Sequence, residues 1–243
     1  MTPQATIWPL EPHTKGKHEV LRRYLEAWFA ILGSKSGRIV FFDGFAGPGQ
    51  YRGGEEGSPL IALKVLQLHR AKLRAEVHFW FIEKDPDRAA HLKGLIEARK
   101  PSLPPRCHVT VVTGAFDATM TKIFHAVDAR GRKLAPVFVM VDPFGVSGTP
   151  MSVIGRILHG DKGEVYISFM YEAINRFKVT PEFEGHLTSL FGSDKWKKGI
   201  SLEAGAKKDF FYGLYESQLR NEGAQHVLHF DLYEGTRLVY AGS

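Results

Sequence analysis

The chain holds one cysteine, Cys107, in 243 residues. A single thiol excludes an intrachain disulfide, a four-cysteine zinc site and a cysteine-ligated iron–sulfur cluster within the chain. It is the usage expected in a reducing cytosol. Long apolar runs are also missing. None approaches the roughly 20 residues that a membrane span requires, and the amino terminus has no apolar signal-peptide core. The chain is therefore expected to be soluble and cytoplasmic. It has no internal repeat and no low-complexity tract. The eleven histidines show no metal-ligand spacing, His-x-x-x-His does not occur, and no metal is expected. Ser58 lacks the surroundings of a hydrolase nucleophile.

Basic residues are in surplus, with a formal charge of +6 and a pI near 9.3. Such a surplus attracts polyanions, nucleic acid foremost, although an ordinary basic surface carries it too. The length suits one large α/β domain spanning residues 1–243.

The most informative stretch is Arg38-Ile-Val-Phe-Phe-Asp-Gly-Phe-Ala-Gly-Pro-Gly-Gln50. Ile39 to Phe42 is a short β-branched and aromatic run of the kind a buried parallel strand requires. It stops at Asp43, and glycines follow at 44, 47 and 49. Without Cβ atoms, such a loop lets a ligand approach the backbone closely, and an acidic residue at the strand end can hold an ammonium. The alternative is a tight turn with no ligand.

Around that stretch the pattern alternates. Residues 1–16 read as irregular, and Lys17 to Leu32 as an amphipathic helix ended by Gly33 in a left-handed cap. Ser58-Pro59 reads as a helix N-cap followed by proline at the first helical position, with the helix reaching about Arg74. Strands are expected over Val77–Ile82, His108–Thr113, Pro136–Val141 and Glu164–Met170. Helices are expected from Pro86 to about Lys100, over Ala118–Ala129 and over Met151–Leu158. Residues 171–223 form a helical insertion broken at Pro181, Gly192 and Gly199. Val227–Tyr233 and Arg237–Tyr240 read as a hairpin turning at Glu234-Gly235. Five strand–helix alternations predict a doubly wound parallel sheet, and in such sheets ligands sit outside the carboxyl ends of the strands. Asp43, Glu83, Asp117 and Asp142 fall at four of those ends.

Five parallel strands followed by an antiparallel hairpin is the topology of the S-adenosylmethionine-dependent methyltransferase fold, which is Rossmann-like. A nicotinamide-binding domain would continue with a sixth parallel strand, and Pro48 suits a turn better than a pyrophosphate-binding helix start. With S-adenosylmethionine as the expected cofactor, Asp43 with Gly44, Phe45, Ala46, Gly47 and Gly49 would take its methionine end. Glu83, beside Lys84, would accept both ribose hydroxyls; otherwise it pairs with Lys84 or Arg88. Asp117 would accept from the adenine amino group, with Phe116 packing on the ring, or would cap the following helix. Asp142-Pro143-Phe144-Gly145 suits transfer to an exocyclic amine. A carboxylate and a carbonyl can each accept an N–H and aim the lone pair, the proline stiffens the backbone, and the aromatic can stack on a flipped base. The alternative is a proline turn with Asp142 as a cap. Lys195-Trp-Lys-Lys198 offers phosphate contacts beside a stacking platform, or a solvated helix face with one buried Trp. Residues 1–33, with His13, Lys15, Lys17 and His18, can form a lid.

Phe42-Asp-Gly-Phe-Ala-Gly-Pro-Gly49, Gly54-Glu-Glu-Gly-Ser-Pro59, Phe81-Ile-Glu83, Val141-Asp-Pro-Phe-Gly145 and Phe169-Met-Tyr-Glu-Ala-Ile-Asn-Arg-Phe177 resemble the three-Cys-motif partner family, TcmP, from about Thr14 onward. The resemblance implies a methyltransferase-like fold and a partner protein, itself similar to radical S-adenosylmethionine proteins, that carries the cysteines. It also implies a further C-terminal helix, so the chain reads as truncated. Asp142-Pro-Phe-Gly145 is similar, over that short piece, to tRNA guanine-N2 dimethyltransferases. Three functional readings follow: a methyltransferase acting on an exocyclic amine of a nucleic-acid base, a catalytically weak or inactive partner or scaffold of a radical S-adenosylmethionine protein, and a nuclease using the acidic strand ends as metal ligands.

Overall fold

The computed structural model describes residues 5–71, 73–234 and 237–242, with side chains as far as Phe230. Five parallel strands form the central sheet: β1 (Arg38–Asp43), β2 (Glu76–Glu83), β3 (Cys107–Thr113), β4 (Val137–Val141) and β5 (Gly163–Ile167), in the spatial order β3-β2-β1-β4-β5. The chain winds outward from β1 to β3, then returns to lay β4 on the other side of β1. The order therefore reverses between β1 and β4, which is where doubly wound sheets open a crevice.

Strand alternation divides the core in two. Ile39 and Phe41 of β1 point into a layer with α1 (Pro12–Lys35), α2 (Ser58–Gln67) and α3 (Pro86–Arg99). Phe42 faces the opposite layer, with α4 (Phe116–Asp128) and α5 (Met151–Leu158). Strand β4 is buried throughout, with Val139 and Val141 on one side and Phe138 and Met140 on the other. A continuous apolar run of this kind is what a central parallel strand needs.

Several boundaries differ from the sequence reading. Helix α1 starts at Pro12, whose fixed φ suits a first helical turn, so residues 12–16 are helical rather than irregular. It also runs past Gly33. That glycine is not a left-handed cap: its carbonyl accepts from the Arg74 and Ala75 amides at 2.9 and 3.0 Å, and a Cβ there would stand 2.9 Å from Leu73 Cδ2. The glycine lies where the β2 lead-in approaches the helix closely, and the helix does not terminate there. Helix α2 stops at Gln67, short of Arg74; Leu68 is already 69% exposed, so the apolar face has ended. Strand β5 ends at Ile167, because helix α6 (Tyr171–Phe177) begins four residues later.

The insertion breaks where expected. After α6 come a 3₁₀ turn (Pro181–Phe183), α7 (Glu184–Phe191), a second 3₁₀ turn (Asp194–Gly199) and α8 (Ala204–Asn221), with Gly192 left-handed at φ 63°. Leu187, Phe191, Trp196, Phe211 and Tyr215 carry the α5-side core into it. Trp196 is only 2% exposed and donates to Thr188 Oγ1 at 3.0 Å, while Lys197 Nζ lies 2.6 Å from Glu184 Oε1. The stacking-platform reading of residues 195–198 is therefore wrong, because the Trp is core. Strands β6 (Phe230–Glu234) and β7 (Arg237–Gly242) pair antiparallel as a two-stranded sheet of their own. The first starts later than Val227, and Gly235 of the expected turn lies outside the described residues. The hairpin sits beside β5, where Phe230 stacks on Tyr166 at 5.9 Å. Among the described residues no helix is long and apolar enough to cross a membrane.

Candidate functional site

The loop after β1 is stitched to both neighbouring strands. The Gly44 amide donates to Met140 O at 2.9 Å and the Ala46 amide to Ile82 O at 3.0 Å. Phe116, the first residue of α4, is buried against this loop: a Cβ on Gly44 would lie 2.5 Å from its ring, and the Phe45 ring packs against it, tilted, at 5.6 Å. Gly47 and Gly49 adopt φ of 60° and 80°, a region other residues enter at a cost. Residues 50–57 fold back on themselves through Gly57 N to Gly49 O at 2.8 Å and Tyr51 N to Glu55 O at 2.9 Å. That return delivers the chain to α2 with Gly57, rather than Ser58, at the cap position. Ser58 is instead buried beside Asp43.

Asp43 is fully buried. Its Oδ1 accepts from the Phe45 amide at 3.2 Å, and its Oδ2 has no hydrogen-bond partner. Burial raises its pKa from 3.8 to about 7; Ser58 and the Phe45 amide oppose the rise, and the nearby charges of Asp142 and Glu83 add to it. Glu83 is 7% exposed and bridges two loops, with Oε2 accepting from Gly47 N and Oε1 from Asp85 N, both at 2.8 Å. Asp85 in turn caps α3, accepting from the Asp87 and Arg88 amides. Lys84 is exposed.

Asp142 follows β4. Lys17 Nζ lies 2.7 Å from each of its carboxylate oxygens, and Ser168 adds a hydrogen bond. Burial pushes the Asp142 carboxyl up, but the Lys17 ammonium and these hydrogen bonds outweigh it and hold the pKa below the ordinary carboxylate value. Pro143 is buried, Phe144 is 40% exposed and Gly145 is half-buried. Lys17 reaches this position because α1 packs along the sheet face with its N-terminal turns at the carboxyl end of the strands and Gly33 at the amino end. His18 comes with it, its ring tilted against Tyr51 at 5.7 Å. Burial first, then the Lys17 charge, lower the His18 pKa to about 4 against a smaller opposing pull from Asp142. Burial and then the Asp142 charge raise the Tyr51 phenol.

The chain before α1 lies over the glycine loop. Trp8 packs edge-on against Tyr51 and Phe144, at 6.0 and 5.8 Å, and the Arg88 guanidinium stands 5.0 Å over its ring. The Arg52 amide donates to Trp8 O at 2.9 Å. The structure thus brings Asp43, Glu83 and Asp142 together around the loop, with Lys17 and His18 from the expected lid. Lys15 is exposed and His13 pairs with Glu11 at 3.3 Å. Asp117 lies in the first turn of α4, its Oδ1 on the Ala118 amide at 2.8 Å. Trp8, Tyr51, Ser58 and Ser168 were not evident as site residues. Only Tyr51, directly after the loop, carried a positional signal.

The chain matches no protein-family profile and no curated protein sequence. Among solved structures it is similar to Trm1 from Pyrococcus horikoshii in complex with S-adenosyl-L-methionine, with a TM-score of 0.53 and 11% identity over 100% of this chain and 58% of that one. It is also similar to the DszA carbon methyltransferase, with a TM-score of 0.50 and 15% identity over 96% of this chain and 54% of that one. The fold is that of the class I methyltransferases. The chain spans little more than half the length of each of these proteins. In this methyltransferase fold the glycine loop, Glu83 and Asp142 lie at the carboxyl ends of β1, β2 and β4, on the crevice side of the sheet.

Proposed function

We propose that the protein is an S-adenosylmethionine-dependent methyltransferase acting on an exocyclic amine of a nucleic-acid base. One observation carries the reading: a buried, unpartnered Asp43 Oδ2 beneath a glycine loop that is tied to Glu83. A buried carboxylate oxygen without a partner is costly, and an arriving ammonium would satisfy it. The residues present therefore fit the methionine end of the cofactor. Each Glu83 oxygen accepts one amide and retains a second lone pair, which suits two ribose hydroxyls. The cofactor, when bound, supplies a methyl group on a sulfonium as electrophile.

The remaining chemistry belongs to the chain. Phe116 shapes the loop from beneath, and Asp117 is the acceptor proposed for the adenine amino group, with Lys84 at the ribose side. Asp142 stays ionised because Lys17 holds it so, and a carboxylate with about four acceptor positions can take a substrate N–H beside Lys17. Pro143 contributes no N–H, and the exposed face of Phe144 is available to a base. Holding the amine's lone pair on line is positioning catalysis. The net charge of +6 favours a polyanionic substrate.

A second reading is supported by the cover over the site. Trp8 and Lys17 already engage Phe144 and Asp142, as they would in a methyltransferase-like partner of a radical S-adenosylmethionine protein, the role the TcmP resemblance implies. Incubation with methyl-labelled S-adenosylmethionine and total RNA or DNA separates the two. Label in a base fraction, lost in a folded Asp142→Asn variant, is the expected result. No label in either pool, with co-purification of the cysteine-bearing partner, would favour the second reading.

A further inference from the structure

We propose that Glu76, His78 and His108 form a binding site for a divalent transition metal of the zinc class, at the end of the sheet opposite the site described above. Glu76 and His78 are two apart on β2 and so share one face. The β2–β3 register pairs His78 with His108. One donor atom from each of the three lies within 4.8 Å of the others. The two imidazoles stack at 4.6 Å and 25°. His78 Nε2 is buried with no hydrogen-bond partner, and stands 3.5 Å from Glu76 Oε2. A buried ring nitrogen aimed at a carboxylate, with a second imidazole alongside, is an arrangement a metal would satisfy.

Two nitrogens and one carboxylate oxygen are donors of the type zinc takes at roughly 2.0–2.2 Å, with water completing the shell. Side-chain rotation closes the remaining gap, since the backbone already aligns the three residues. One competitor is visible: Arg38 donates to Glu76 Oε2 at 3.1 Å. Its side chain is 53% exposed, and an exposed pair of this kind is weak enough to yield to a metal. Cys107 is not part of the set, because strand alternation turns it to the other face, where it packs with Val77 and Val109. Sequence spacing could not reveal the site. His78 and His108 are 30 positions apart and meet only through the strand register. A metal here would clamp edge strand β3 to β2.

The test is titration of the full chain with zinc against a chromophoric chelator, together with thermal melting. Wild type is expected to bind one zinc per chain and to melt higher with zinc. His108→Ala, at an exposed position that leaves the fold intact, is expected to bind at least tenfold more weakly and to lose the thermal shift. Glu76→Gln should weaken binding by a smaller factor. Equal zinc affinity and equal thermal shift in wild type and His108→Ala would overturn the proposal, as would the absence of stoichiometric binding by wild type.

Discussion

Replacing Glu83 by alanine is expected to lower affinity for S-adenosylhomocysteine by about 100-fold or more while the sheet stays folded. Two charge-assisted hydrogen bonds to ribose hydroxyls at roughly 1.5–3 kcal/mol each account for that factor. The geometry adds a second cost. Glu83 accepts the Gly47 and Asp85 amides, so alanine leaves both without their acceptor, at about 1–3 kcal/mol for each that stays dry. The glycine loop and the start of α3 would loosen together. Glu83→Gln keeps one acceptor oxygen and loses the charge, so an intermediate loss of about tenfold is expected. Calorimetric titration measures the affinities, and circular dichroism confirms the fold. A folded Glu83→Ala protein that binds within twofold of wild type would refute the ribose assignment.

The second large effect concerns Lys17 and Asp142. Lys17 is 7% exposed and contacts both oxygens of a partly buried carboxylate, so the pair lies between an exposed bridge and a fully buried one. Removing either partner is expected to cost about 2–3 kcal/mol, between the roughly 0–1 of surface pairs and the 3–5 of buried ones. Lys17→Met and Asp142→Asn should each lower the denaturation midpoint, and the double variant should lose less than the sum. A double-mutant cycle gives the coupling directly. The sign with pH follows from the depressed Asp142 pKa. Its contribution is present above the ordinary carboxylate pKa and is lost as pH falls through the lower folded value. Strictly additive single effects, each below about 0.5 kcal/mol, would show that the pair does not hold the first turns of α1 at the strand ends.

Much of the architecture was legible because it rests on local patterns. The run Ile39–Phe42, the glycines after Asp43 and the breaks at Pro181, Gly192 and Gly199 each carry their own signal. Gly33 misled because a glycine after an apolar helix looks the same whether it ends the helix or admits a neighbour. Here it admits the segment at Leu73–Ala75, a contact made only in three dimensions. Trp196 misled in the same way, since flanking lysines mark the surface while its own burial depends on α7 and α8. The carboxylates at the ends of β1, β2 and β4 could be placed from sequence because strand ends share one edge of a parallel sheet. The contacts of Lys17 with Asp142, and of Trp8 with Phe144, could not. They depend on the angle at which α1 crosses the sheet, and no local pattern encodes it.

The most direct test is calorimetric titration of the purified protein with S-adenosylhomocysteine at pH 8 and pH 6, with NAD as control. The pH arm follows from Asp43, whose pKa burial raises to about 7. Between the unfolded carboxylate value and that pKa the folded protein holds a proton that the unfolded chain does not. Its stability therefore falls as pH rises through this window and levels off above it. A ligand ammonium prefers the ionised form, so affinity moves the other way, rising towards pH 7 and then levelling. Micromolar binding at pH 8, about tenfold weaker at pH 6, with no binding of NAD, is the predicted result. No binding of S-adenosylhomocysteine at either pH, or equal binding of NAD, would contradict the assignment of this site to S-adenosylmethionine.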